Sequence, residues 1–217
     1  MARLAAPQVG ETGHITGCDL NPGMLAVARA LPPGSGAPMT WQEGNLEALP
    51  FANGAFDVML CQQGLQFCPN RAVAVGELRR VLRSGGRRLL NVARDLPHAP
   101  YMRAVVQAVT QHVHADAGRR MSAPCTLGNR EELRALLHTA GFREVRIQLH
   151  ILPMRITSLE RFLSGQFAAS PIANDIAALE ATVREAFFEQ ITAALQPYRD
   201  DAGYMIPYET HVAQAQA

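Results

Sequence analysis

Two rhythms of apolar and polar positions run through the first half of the chain. His14 to Asp19 reads as a short strand ending on an acid, and Asn21-Pro22 follows as N-cap and first helical residue. The helix that they open runs from Gly23 to Leu31, with Met24, Leu25, Val27 and Ala28 at helical spacing. Pro32 to Pro38 is a Pro/Gly/Ser loop, and Met39 to Gln42 is a weak strand. Ala55 to Cys61, apolar but for Asp57, is a good candidate for a buried strand. A helix over Arg71 to Leu82 is expected to stop at Ser84-Gly85-Gly86, with the next strand over Arg87 to Ala93.

The second half is more helical. Periodicity predicts a helix over Tyr101 to Ala115 and another from the cap Asn129 to Ala140, with Glu131 and Glu132 in its first turn. Gly141 ends it, and Phe142 to Leu152 forms a long strand. Helical stretches at Ser158 to Ala168 and Asn174 to Leu195 precede a closing strand, Gly203 to Val212. Strands alternating with helices predict an α/β protein with a doubly wound, mostly parallel, Rossmann-like sheet. The expected organisation is a core over 1–152, a helical lid inserted over 153–202, and a closing strand in 203–217.

Composition narrows the chemistry. Of 217 residues, 48% are hydrophobic and 18% charged, enough apolar material for a sizeable core. A net charge of +1 gives no electrostatic case for nucleic acid or an anionic membrane as the main partner. No apolar run approaches the roughly 20 residues that span a bilayer, and the N-terminus lacks the apolar stretch of a secretory signal, so the expected setting is the cytoplasm. All 20 basic residues are arginine. Without lysine there is no Schiff-base lysine and no phosphate-binding GK[ST] loop. Cys18, Cys61, Cys68 and Cys125 form no CxxC pair and no zinc spacing; Cys18 and Cys61 read as small apolar residues of strands.

Two places carry candidate chemistry. Asp19 ends a strand where ligands bind in a doubly wound sheet, and a carboxylate there can accept both hydrogen bonds of a ribose diol; the plainer reading is an acid that starts the Asn-Pro turn. In Glu43 to Phe51, Asn45 can offer an acceptor to an adenine amino group and Leu46 its backbone to a ring nitrogen; the alternative is a polar loop closed by a proline.

Taken in order, GCDLNPGML, GNLEALPF, FDVML and RVLRSGG resemble the motifs of class I S-adenosylmethionine-dependent methyltransferases, in particular the small-molecule branch. The resemblance is close over Leu4 to Ala93 and only topological beyond. It implies S-adenosylmethionine as cofactor and a small-molecule acceptor. It places Asp19 at the ribose hydroxyls with Leu20 beside it, Met24 against the adenine or ribose, Asn45 and Leu46 at the adenine, and Cys61 and Gln62 beside the methionine moiety. Gln63 and Gln66 then face the acceptor, or else lie on a solvated short helix. His98, after the strand ending at Ala93, is a general-base candidate or a plain loop histidine.

One departure stands out. Ala2 to Val9 matches the family's first helix, so the strand and glycine-rich loop that precede that helix have no counterpart here, and Gly10, Gly13 and Gly17 follow it. That strand is central in the family's sheet. Three outcomes are open: residues upstream supply it, a partner chain or exchanged segment fills the gap, or the Asp19 and Phe56 strands pair directly. Each leads to the expectation of a homodimer or a partner segment. A cofactor-free binding or assembly module of the same fold is the alternative function, and an NAD-dependent oxidoreductase a third.

Other residues receive bland readings. His112, His114 and Asp116 are not expected to converge on a metal, because i and i+2 point to different faces of a helix. His150 reads as a half-buried strand residue. Arg155, Tyr204 and Tyr208 are placed at the lid, and Arg79-Arg80, Arg87-Arg88 and Arg119-Arg120 on solvated faces. Phe162, Leu163, Phe167, Phe187 and Phe188 either cover an apolar acceptor or pack on the sheet or across a dimer.

Overall fold

The computed structural model describes residues 1–32 and 34–217; Pro33, in the expected Pro/Gly/Ser loop, lies outside the described residues. The chain runs α1 (Ala2–Val9), β1 (Ile15–Asp19), α2 (Pro22–Ala30), β2 (Met39–Glu43), β3 (Phe56–Gln62), α3 (Arg71–Arg80), β4 (Leu82–Ala93), α4 (Pro100–His112), α5 (Ala115–Ser122) and α6 (Arg130–Thr139). It continues through β5 (Arg143–Ile156), α7 (Leu159–Ala168), α8 (Ala173–Ala177), α9 (Ala181–Leu195), β6 (Arg199–Asp200) and β7 (Gly203–Gln216). The architecture is α/β. The caps expected from sequence form: Asn21 Oδ1 accepts from Gly23 N at 2.8 Å, and Asn129 Oδ1 from Glu131 N at 2.8 Å and Glu132 N at 3.1 Å.

The strands form two sheets. β1 and β2 pair in parallel, while the larger sheet runs β3-β4-β7-β5 with β6 on β7. β3 and β4 are parallel, and β7 lies antiparallel between β4 and β5. Among the described residues β1 and β3 do not pair, so direct pairing of the Asp19 and Phe56 strands does not occur, and each has one edge without a strand partner. On one face of the larger sheet Leu90, Val92 and Ala213 join Leu133, Leu137 and Phe142 in a buried core. The other face exposes Val58, Leu60 and Leu89.

Several expected boundaries move. Ser84-Gly85-Gly86 does not cap α3; it lies within β4, with Gly85 at φ 76°. The chain end draws it into the sheet: Gly85 N donates to Ala217 O at 3.0 Å and Ala217 N to Gly86 O at 2.8 Å. β5 continues to Ile156 and β7 to Gln216, because Pro153 to Ile156 pair with Tyr204 to Pro207. The strand therefore carries on past the expected lid boundary at 153. The single helix expected over Asn174 to Leu195 is two, α8 and α9, since Glu180 is extended at φ −54°, ψ 146°. That break lets Ile176 and Phe187 enter one core with Val105 and Val109 of α4, Leu163 and Phe167 of α7, and Tyr204. The apolar face of the insertion thus packs inside the chain.

Arginines expected to be solvated do structural work. Arg88 is buried, and Arg80 reaches back to the 44–53 loop. Cys18 is exposed rather than an apolar core residue, and His150 is exposed rather than half-buried.

Candidate functional site

The carboxyl ends of β1 and β2 lie side by side, with Asp19 in register with Glu43 and Gly44 N donating to Asp19 O at 3.1 Å. This brings Asp19 and Asn45 together. Asp19 is exposed; its Oδ1 accepts from Asn21 N at 2.8 Å, so the acid does start the Asn-Pro turn, and its second oxygen has no protein partner among the described residues. Leu20 and Met24, 65% and 59% exposed, flank it as open apolar surface. Asn45 Oδ1 accepts from Glu47 N at 2.9 Å, which leaves the amide NH₂ as the free end of the side chain.

The 44–53 loop ties this corner to the larger sheet. Leu46 packs with Met59 and Cys61 against the core. Glu47 Oε1 accepts from Asn70 N at 2.7 Å, and Leu49 N donates to Glu77 Oε2 at 2.8 Å. Arg80 donates to Phe51 O at 2.7 Å and Leu49 O at 3.0 Å while paired with Glu77 at 2.6 Å. The Arg80 guanidinium, followed by the Leu49 amide, holds the Glu77 carboxyl below its ordinary pKa. Glu47 and Glu77 were not singled out from the sequence, and Arg80 was expected on a solvated face.

At the carboxyl end of β3, Gln62 is exposed and Cys61 half-buried, its thiol pushed up in pKa chiefly by burial. Gln63 sits at φ 52°, in the left-handed region that a non-glycine residue adopts at a cost. It laces β3 to β4: Gln63 N donates to Asn91 O at 3.1 Å, and Gln63 Oε1 accepts from Ala93 N at 3.2 Å and from Gln66 Nε2 at 2.5 Å. Gln66 is buried, not on a solvated helix, and Gln63 Nε2 and Gln66 Oε1 are buried without partners. Past β4, His98 Nδ1 meets Asp95 Oδ1 at 2.7 Å, with both side chains close to half exposed.

The remaining candidates disperse. His112 Nε2 meets Gln190 at 2.7 Å, His114 accepts from Ala117 N at 3.1 Å, and Asp116 pairs with Arg119 and Arg120. Arg155 is taken by Asp200 at 2.7 Å and Tyr204 lies in the helical core, so neither lines a lid. Tyr208 stands by Gln63 and Cys125, and burial pushes its hydroxyl pKa up. No helix among the described residues is long and apolar enough to cross a membrane.

The α/β chain thus sets an acid and an amide at adjacent strand ends. Residues 1–90 match the family model for the methyltransferase domain. An uncharacterized protein of Mycobacterium tuberculosis is 38% identical over 84 residues, 39% of this chain and 31% of its own length. The ubiquinone/menaquinone biosynthesis C-methyltransferase UbiE of Shewanella pealeana is 29% identical over 150 residues, 63% of this chain and 59% of that protein. The matched part therefore spans about a third to three-fifths of these curated relatives. The crystal structure of a putative methyltransferase from Bacillus halodurans superposes with a TM-score of 0.58 at 19% identity, over 94% of this chain and 83% of that one. Residues 1–90 therefore resemble a methyltransferase domain, and the fold of the chain is similar to that of the Bacillus halodurans structure.

Proposed function

We propose that the protein transfers a methyl group from S-adenosylmethionine to a small organic acceptor. The observation that carries this is the meeting of Asp19 and Asn45 at the β1 and β2 ends, joined through Leu46 to Cys61 and Gln63 at the β3 end. The adenosine half of the cofactor fits these residues. Asp19 keeps a free carboxylate oxygen for a ribose hydroxyl, Leu20 and Met24 offer apolar surface, and the Asn45 side chain and Leu46 backbone lie beside them. For the amino-acid half, Cys61 and Gln62 are the residues at hand. When bound, the cofactor supplies an electrophilic methyl on a sulfonium.

The chain's own part is chiefly alignment, which can provide much of the acceleration of such a transfer. Gln63 and Gln66 have a free amide NH₂ and a free carbonyl at the strand ends, suited to orienting an acceptor. A carboxylate only accepts, so in the neutral His98 paired to Asp95 the hydrogen sits on Nδ1 and Nε2 is the basic nitrogen. His98 can then take the proton that an O–H or N–H acceptor loses. The likeness to UbiE, a C-methyltransferase of ubiquinone/menaquinone biosynthesis, supports a small-molecule acceptor and a carbon as the methylated atom.

A second reading is favoured by one observation: the sheet is divided between β1 and β3. In that reading the chain is a cofactor-free module of the same fold, and a strand from a second copy or a partner segment pairs in the gap, as it also can in the enzyme. Isothermal titration with S-adenosylhomocysteine, with the mass in solution measured alongside, separates the two. Micromolar binding supports methyl transfer; none at millimolar ligand supports the module. NAD in the same titration tests the oxidoreductase, which the GNLEALPF loop argues against.

A further inference from the structure

A cavity of about 430 Å³ lies where β4 ends, between the larger sheet and the start of α6. Its polar walls are Arg94, Asp95, Arg130, Glu131 and His211, with Leu149 as apolar floor. Its shape is fixed by a close approach: a Cβ on Gly128 would fall 1.9 Å from Asp95 N, so only glycine lets the loop before α6 lie against the end of β4. β7 enters from the other side, with His211 opposite Val92 and Leu149.

The donors here are left over and the acceptors are used. His211 is 5% exposed, and its Nδ1 has no hydrogen-bond partner. Arg94 Nη1 is engaged by Glu209 at 3.0 Å, but Arg94 Nε is buried without a hydrogen bond. Arg130, the first residue of α6, makes no ion pair among the described residues. Both acids of the cavity have cationic partners: Asp95 Oδ1 lies 2.7 Å from His98 Nδ1 and 3.8 Å from Arg94 Nε, and Glu131 lies 3.3 Å from Arg134. Buried donors without acceptors carry a desolvation cost that an incoming acceptor relieves. Burial, with Arg94 and Arg130 close by, holds the His211 imidazole below its ordinary pKa, while Asp95 and Glu209 pull the other way.

We propose that this cavity is an oxyanion site, in which Arg94, Arg130 and His211 take the carboxylate or phosphate group of a small organic ligand whose apolar part lies along Leu149. The cavity adjoins the end of β4, one residue beyond the Ala93 amide that Gln63 accepts. The oxyanion is therefore carried by the methyl acceptor, a step that rests on the methyl-transfer reading; the binding of the anion does not.

The test is titration of the 217-residue chain with inorganic phosphate and, separately, with succinate, followed by amide shifts in nitrogen-15 spectra. The expected result is saturable shifts at Arg94, Gly128, Asn129, Arg130 and His211. The anion that saturates at lower concentration identifies the group, phosphate or carboxylate. Arg130→Gln, on an exposed position that leaves the Asn129 cap intact, should weaken binding by about tenfold, the scale of one charge-assisted hydrogen bond. His211→Gln should weaken it as well. Absence of shifts at tens of millimolar anion, or binding unchanged in both variants, overturns the proposal. S-adenosylhomocysteine titrated into the same sample keeps the two readings apart: anion binding without it defeats methyl transfer only, and its binding without the anion defeats the oxyanion site only.

Discussion

The Arg88 guanidinium carbon lies 4.1 Å from the centroid of the Phe142 ring, and none of its three nitrogens has a hydrogen-bond partner among the described residues. A cation buried this way is stabilised by the ring face and little else. Burial pushes its pKa down to about 9, well below the ordinary range of a guanidinium. Arg88→Met keeps the length and removes the charge, so it should leave stability equal or raise it by about 1–4 kcal/mol, while Phe142→Ala should cost about 3–5 kcal/mol. The pH dependence has a definite sign. The folded state releases the Arg88 proton near 9 and the unfolded state keeps it to much higher pH, so the wild type gains on Arg88→Met as pH rises through 9. Urea unfolding at pH 8 and pH 10 checks both; a wild type that gains nothing on Arg88→Met between the two would contradict the assignment.

Gly128 and Gly165 make a matched pair. At Gly128 a Cβ would meet backbone at 1.9 Å, whereas at Gly165, inside α7, it would meet nothing within 4 Å. Gly128→Ala should therefore destabilise by about 3 kcal/mol or more, and Gly165→Ala should stabilise by about 0.5–1 kcal/mol through better helix propensity. Thermal unfolding of both variants is sufficient to check the pair.

Local signals in the sequence were read well and tertiary ones poorly. Asn21 and Asn129 cap their helices because the cap is a bond within three residues. β1, β3 and α3 were visible as periodic runs and form close to where they were expected. Ser84-Gly85-Gly86 misled because its partner is Ala217, more than a hundred residues away. Arg80 and Arg88 looked like surface pairs, since nothing nearby in sequence announces a loop carbonyl at Phe51 or a ring at Phe142. The placement of Asp19, Asn45 and Gln63 at or just past strand ends was legible from motif order. Arg94 and His211 were not, because β7 brings His211 to β4 from the far end of the chain.

Arg80 is the tie between α3 and the loop that carries Asn45, through Leu49 O, Phe51 O and Glu77. Arg80→Ala removes these donors and frees Glu77, whose remaining partner is the Leu49 amide. Hydrogen exchange should speed up at Gly54, whose N–H donates to Arg80 O, and at Leu49, while α6 stays protected. Unchanged exchange at Leu49 would mean that the loop is held by its apolar contacts alone. Glu77→Gln offers the complementary arm. The carboxyl is held below its usual pKa, so its stabilisation is present at neutral pH and fades as pH falls through the folded-state value. The wild type should lose its advantage over Glu77→Gln in acid.

Asp19 has a structural role and a proposed binding role, and two substitutions separate them. One carboxylate oxygen accepts from Asn21 N at 2.8 Å and holds the turn into α2; the other is free. Asp19→Asn retains an oxygen for the turn but gives up the charge and one acceptor. Asp19→Ala gives up both. If Asp19 binds a ribose, Asp19→Asn should leave Tm nearly unchanged and weaken S-adenosylhomocysteine by about tenfold, the worth of a charge-assisted hydrogen bond. Asp19→Ala should weaken the ligand at least as much and also lower Tm, because the turn amide loses its acceptor. If the acid serves the turn alone, Asp19→Asn will bind the ligand like the wild type and only Asp19→Ala will unfold earlier. Calorimetric titration and thermal unfolding of the two variants, run side by side, decide between a carboxylate that shapes the entry to a helix and one that also recognises a nucleoside.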